Sequence, residues 1–149
     1  MAHAPRTVVD AFSGAGDTAV ALASLGVRVA AVELDEEATA YAATRLPAGS
    51  RAIASRVAEA IASLLPADVV ILNPPRAAVD ARVTAALVAS LASGAERPKA
   101  ILYVSCDPAT LARDVARLEG WRVHSITCYD MFPQTAQVET LCELRSEAI

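Results

Sequence analysis

The chain has 149 residues, 54% of them hydrophobic and 20% charged, with a formal net charge of -4. That length suits one domain around a single apolar core, and the composition excludes a disordered chain. No apolar run is long enough to span a membrane, and an acidic balance is the wrong sign for a domain that grips nucleic acid with its whole surface.

The opening "MAHAPRTVVD" has no signal-peptide apolar stretch, so a cytoplasmic protein is expected. "RTVVDAF" predicts a buried strand, followed by an "SGAG" turn and a helix over 17–25. "VRVAAVEL" predicts a second strand, with a helix over 36–45 behind it. "SRAIAS" is a weaker third strand, and no element is assigned between it and "ADVVILN", a clear strand that stops at "PPR". A helix over 80–93 and the strand "KAILYVSC" come next. "DPATLARDVARLEG" has the marks of a helix with Asp107 as N-cap, Pro108 at its first position and Gly120 at its end. "WRVHSITCYDMF" and "VETLCELR" close the chain as an antiparallel strand pair.

Strands alternating with helices imply an α/β fold, a mainly parallel sheet covered on both faces. Ligands of such sheets bind beyond the carboxyl ends of the strands. Those ends are "DAFSGAGD", "VEL", "NPPR" and "SCDP", so the glycine-rich and polar residues collect on one rim. Gly14 and Gly16 let a ligand approach the backbone, and Glu33 ends a strand where a carboxylate can accept both hydroxyls of a ribose. The turn lacks the third glycine of a dinucleotide fingerprint, so an adenosine-type ligand fits better than a pyrophosphate. The prolines of "NPPR" aim Asn73 into the cleft, while Arg76 suits a phosphate, a carboxylate or plain solvent.

Cys106, Cys128 and Cys142 are too widely spaced for a zinc or iron–sulfur framework, and no metal is expected. Position alone leaves Cys106 open between an inert buried thiol and a thiolate favoured by a helix N-terminus. Cys128 and Cys142 alternate with apolar residues and are expected in the core, as is Trp121. His3 and His124 suggest no chemistry, and Glu139 by itself is a surface carboxylate at a strand entry.

The order "DAFSGAG", "VEL", "NPPR", "SCDPATLARD" and "DMFPQTAQVE" resembles the RNA (uracil-5-)-methyltransferase family over residues 7–145. The resemblance implies a class I, Rossmann-like fold that uses S-adenosyl-L-methionine (SAM). It places SAM on Phe12, Ser13, Gly14, Gly16, Asp17, Glu33 and Asn73, makes Cys106 the nucleophile and Glu139 the base, and gives Asn73 and Arg76 to the substrate. The implied substrate is a uridine of rRNA or tRNA, with Asn73 accepting from uracil N3–H and donating to O4.

Six positions depart from the family pattern. Asp17 replaces an amide, Asn73 an Asp, Asp107 an Asn and Gln137 a His, while Ser55-Arg56 stands where Gly-Asp contacts the adenine amino group. Glu59 is one candidate to replace that lost acceptor. The family's upstream SAM-contacting helix and RNA-binding segments have no counterpart here, so the chain is expected to be a catalytic domain that needs a further RNA-binding module. The alternatives are a non-catalytic SAM-fold module and an NPP-type amino-group methyltransferase, in which Arg76 would stand in the place of an aromatic residue.

Overall fold

The computed structural model describes residues 5–77, 79–131, 133–135 and 137–146, which leaves His3 and part of "DMFPQTAQVE" outside the described residues. Each apolar run becomes a strand and each alanine-rich stretch a helix. In chain order these are β1 (Thr7–Ala11), α1 (Asp17–Ser24), β2 (Arg28–Glu33), α2 (Glu36–Arg45), β3 (Arg51–Ala54), α3 (Val57–Leu64) and β4 (Val69–Leu72). They continue with α4 (Ala81–Ala89), a 3-10 segment (Ser90–Glu96), β5 (Ala100–Ser105), α5 (Pro108–Val115), β6 (Trp121–Tyr129) and β7 (Glu139–Ser146).

The strands form one sheet in the order β3-β2-β1-β4-β5-β7-β6. Strands β1 to β5 pair in parallel, and β7 runs antiparallel to both β5 and β6. Alternate residues of β1 serve different layers, as the strand's two-residue period requires. Val9 and Ala11 join Ile61, Leu87, Tyr103 and Leu111 in the larger core, while Val8 packs with Ala19, Ala23 and Val29 in the smaller one. Chain order reverses between β1 and β4, and the residues just after β1, β2, β3 and β4 surround the crevice that this reversal opens.

Three elements differ from the sequence expectation. Helix α3 occupies a stretch to which no element was assigned, although its Val57 and Ile61 are spaced one turn apart and buried on one face. Helix α4 gives way to the 3-10 segment at Ser90, and Gly94, at φ 61°, breaks helical geometry inside it. Helix α5 ends at Val115 instead of Gly120, because the Arg117 and Leu118 amides donate to Asp114 and Val115, three residues back, and tighten the chain.

Cys142 and Trp121 are buried as expected, but Cys128 is exposed. It lies on β6, an edge strand with β7 as its one neighbour, and every β6 residue after Trp121 is open to solvent.

Candidate active site

The turn after β1 is shaped by backbone geometry. Phe12 takes φ 63°, a strained conformation for a bulky side chain of the kind that clusters at ligand sites. Gly16 (φ 83°) lets α1 approach α2, since a Cβ there would sit 2.7 Å from Ala42 Cβ. Gly14, by contrast, has nothing within 4 Å of where its Cβ would be. The two glycines therefore have different duties: Gly16 serves packing, and Gly14 leaves space.

Glu33 is anchored from three sides. Its Oε2 accepts from the Gly14 amide at 2.9 Å, and its Oε1 accepts from the Leu34 and Asp35 amides at 2.7 and 3.0 Å. The carboxylate is thus oriented before any ligand arrives. Beside it opens a cavity of about 550 Å³, within the usual range for small-molecule sites. Phe12, Glu33 and Asn73 line it, together with Ser55, Arg56, Val57, Pro74, Asp80, Arg82 and Val83.

Other candidates stand apart from this cavity. Ser13, Gly14, Gly16 and Asp17 form the neighbouring turn but are not among the lining residues. Asp17 is turned to Arg45 on α2, Oδ1 to Nη1 2.6 Å, and its side chain is 83% exposed. Arg45 also donates to the Ala15 carbonyl at 3.2 Å and lies over the Tyr41 ring. Glu59 is exposed and lines no part of the cavity, whereas Asp80, unmarked in the sequence reading, does.

Cys106 follows the last residue of β5 and is partly buried. Ser105 pairs with Thr140 at the end of the β5–β7 ladder, so Cys106 and Glu139 are the next residue on each strand. The sheet register therefore brings together two positions 33 residues apart in sequence. Asp107 caps α5, accepting from the Ala109 and Thr110 amides at 2.9 and 3.2 Å and from the Thr110 hydroxyl at 3.0 Å. Those Thr110 bonds, amide first, hold its carboxyl below the ordinary range. The first donors of α5 thus already face an anion.

Arg76 and Gln137 meet across the cleft, Nη2 donating to Oε1 at 3.1 Å. This contact joins the loop after β4 to the segment before β7. A second tie lies beneath it. Asp114 is fully buried, and its Oδ2 accepts from the Tyr103 hydroxyl at 2.7 Å and the Val79 amide at 3.0 Å, while Arg113 and Arg117 pair with Oδ1. Burial, then the bond to Asp114, pushes the Tyr103 hydroxyl pKa up. The "NPPR" loop is in this way fastened to β5 and α5, the elements on either side of Cys106.

Asp10 is the other carboxylate that the sequence reading missed. It is 2% exposed, its Oδ2 has no hydrogen-bond partner among the described residues, and burial raises its pKa to about 6 against a smaller pull from the Ala19 amide. The signals were an acid inside an apolar strand for Asp10, and one in the apolar register of Leu111 and Leu118 for Asp114. Among the described residues, no cluster of three or more His, Cys, Asp or Glu could hold a metal ion, and no helix is long and apolar enough to cross a membrane.

Comparison with known proteins places this geometry. The chain is 33% identical over 150 residues to an uncharacterized RNA methyltransferase of Protochlamydia amoebophila, covering 94% of this chain and 33% of that protein. It is 35% identical over 153 residues to the 23S rRNA (uracil(747)-C(5))-methyltransferase RlmC of Shewanella halifaxensis, covering 97% of this chain and 38% of the relative. The Pyrococcus abyssi tRNA (uracil-54, C5)-methyltransferase, solved in complex with S-adenosyl-L-homocysteine, superposes with a TM-score of 0.80 at 32% identity. That match covers 92% of this chain and 33% of the other, so the chain spans about a third of the length of these relatives. The model of the tRNA (Uracil-5-)-methyltransferase family matches residues 48–146, about two thirds of the sequence, and the chain belongs to that family.

Proposed function

We propose that this chain is the catalytic domain of an RNA (uracil-C5) methyltransferase, with SAM as methyl donor. The observation that carries the cofactor reading is Glu33, held by three backbone amides at the wall of a 550 Å³ cavity at the sheet's switch point. Its remaining acceptor position, on Oε2, suits a ribose hydroxyl, and the apolar wall of Val57, Pro74 and Val83 suits a flat base. SAM, when bound, supplies an electrophilic methyl group for transfer to carbon.

The remaining chemistry belongs to the chain's own residues. A uracil C5 is too weakly nucleophilic to take a methyl group unaided. Cys106, as thiolate, adds to C6; the C5–C6 π electrons move to C5 and O4, and C5 becomes enolate-like. After C5 is methylated, Glu139 takes the C5 proton. The electrons of that C–H bond restore the C5–C6 double bond and expel the Cys106 thiolate. Asn73 presents both an acceptor and a donor, matching uracil N3–H and O4. Arg76, exposed and bonded to Gln137, offers a guanidinium to the charged backbone of an RNA.

The test is a trapping experiment with RNA carrying 5-fluorouridine, in which fluorine at C5 cannot be removed as a proton. In the presence of SAM, the wild-type chain is expected to form a covalent adduct that survives denaturing electrophoresis, and Cys106→Ala is expected to form none. Absence of any adduct from a chain shown to bind both SAM and RNA overturns the mechanism. So does methyl transfer at an undiminished rate by Cys106→Ala.

One observation favours a second reading, a cofactor-binding module without turnover: the first amides of α5, beside Cys106, are already taken by the Asp107 carboxylate. Multiple-turnover methylation rules that reading out.

A further inference from the structure

The far wall of the cavity carries a polar pair that the catalytic scheme does not use. Asp80 is the N-cap of α4, its Oδ1 accepting from the Arg82 amide at 2.9 Å. The Arg82 guanidinium then returns to the same carboxylate, Nε to Oδ1 at 3.2 Å and Nη2 to Oδ2 at 2.9 Å. Both residues line the cavity and remain accessible, with side chains 45% and 62% exposed for Asp80 and Arg82 respectively. Arg82, first through that side-chain bond and then through its amide, holds the Asp80 carboxyl down to about 2, so it is ionised at neutral pH.

A carboxylate offers about four acceptor positions, and the three bonds from Arg82 leave at least one unused. Among the described residues that line the cavity, the carboxylates are Glu33 and Asp80. Glu33 is committed to the Gly14, Leu34 and Asp35 amides, and to a ribose under the reading above. A nucleoside with its sugar at Glu33 must send its base either toward the Gly14–Gly16 turn or toward the N-termini of α3 and α4. The apolar surface of Val57, Ala58 and Val83 lies on the α3–α4 side. The base therefore goes there, with its edge reaching the polar pair.

We propose that Asp80 is the specificity-determining residue for the cofactor's purine: its carboxylate accepts from an exocyclic amino group, while Arg82 fixes its orientation and Arg56 supplies a donor for a ring nitrogen. The site thereby selects a 6-aminopurine over a 6-oxopurine. The latter would set a carbonyl oxygen against the Asp80 anion and a protonated ring nitrogen against an arginine. This assignment rests on the cofactor reading above and adds to it the group that reads the base.

The experiment is calorimetric titration of the chain with S-adenosyl-L-homocysteine and with its 6-oxo analogue, S-inosyl-L-homocysteine. Wild type is expected to prefer the adenosyl compound by about tenfold or more, the ratio expected when a desolvated polar group loses its partner. Asp80→Asn and Asp80→Ser both retain a helix-capping side chain, so each should fold, with thermal melting as the check. In each, the preference should fall to within about threefold, chiefly through weaker binding of the adenosyl compound. A preference that survives undiminished in both variants overturns the assignment and leaves the cofactor reading standing. Failure of wild type to bind S-adenosyl-L-homocysteine overturns both.

Discussion

Asp10 offers the sharpest test of the physical reasoning, because its effect is tied to pH. The side chain is 2% exposed in the middle of the sheet, one oxygen has no partner among the described residues, and burial lifts its pKa from 3.8 to about 6. Between those values the folded chain holds a proton that the unfolded chain has released. Stability must therefore fall as pH rises from about 4 to about 6 and stay low above that. The gap corresponds to about 3 kcal/mol of native-state stability lost by neutral pH, an upper figure because local relaxation reduces it. Asp10→Asn has the same shape and no charge to bury. Its stability relative to wild type should climb by about 2–3 kcal/mol between pH 4 and pH 7.5, or roughly 5–10 °C in melting temperature for a chain of this size. Thermal and urea unfolding of the two proteins across that range would measure the difference. A difference that does not change with pH, or one that shrinks as pH rises, refutes the account of Asp10 as a carboxylate whose ionised form is penalised.

Tyr103→Phe removes the hydroxyl that donates to buried Asp114 at 2.7 Å, and should cost about 1–3 kcal/mol in urea unfolding. The loss should be smaller if Asp114 is replaced by Asn at the same time, because the two side chains share one bond. Gly16→Ala must hold a side chain at φ 83° with its Cβ 2.7 Å from that of Ala42, and should lower stability by roughly 2 kcal/mol or more. Adding Ala42→Gly relieves the clash but not the backbone strain, so melting temperature should recover only in part.

The strands and most helices were legible because their signals are local. "VVDA", "VVIL" and "AILYVS" are apolar on both faces, as strands covered by two helix layers must be, and Asp107-Pro108 marks a helix start without ambiguity. Helix α3 carries a legible stripe, Val57, Ile61 and Leu64 at helical spacing, but it is only eight residues long and wedged between two strands, so it was passed over. The burial expected of Cys128 failed for another reason: alternation along β6 predicts a strand, but whether a face is covered depends on what packs there, and β6 lies at the edge. At the site, Glu33 and Asn73 were identified from their positions at strand ends, and both line the cavity. Asp80 was not, because it reads as an ordinary helix cap; its second role appears only when α4 is folded across the cleft. Asp17 was assigned to a ligand by its place in a motif, while its partner, Arg45, is 28 residues away on another helix. Such pairings depend on how two helices lie against each other, which no local pattern encodes.

The position of β7 has a consequence for how the fold is completed. It is the last strand in the chain, yet it sits between β5 and β6. Strand β6 precedes β7 in the sequence and joins the sheet only through its ladder with β7. Strand β7 therefore completes the sheet, pairing with β6 on one side and β5 on the other. The juxtaposition of Cys106 and Glu139 is created by that same pairing, since the β5–β7 register sets it. A chain cut short before residue 139 would retain the residues that line the Glu33 cavity but lack the ladder that sets Glu139 opposite the thiol. The cavity beside Glu33 and the Cys106–Glu139 juxtaposition are thus separable parts of one fold, the first lined from the ends of β1 to β4 and the second set by β7.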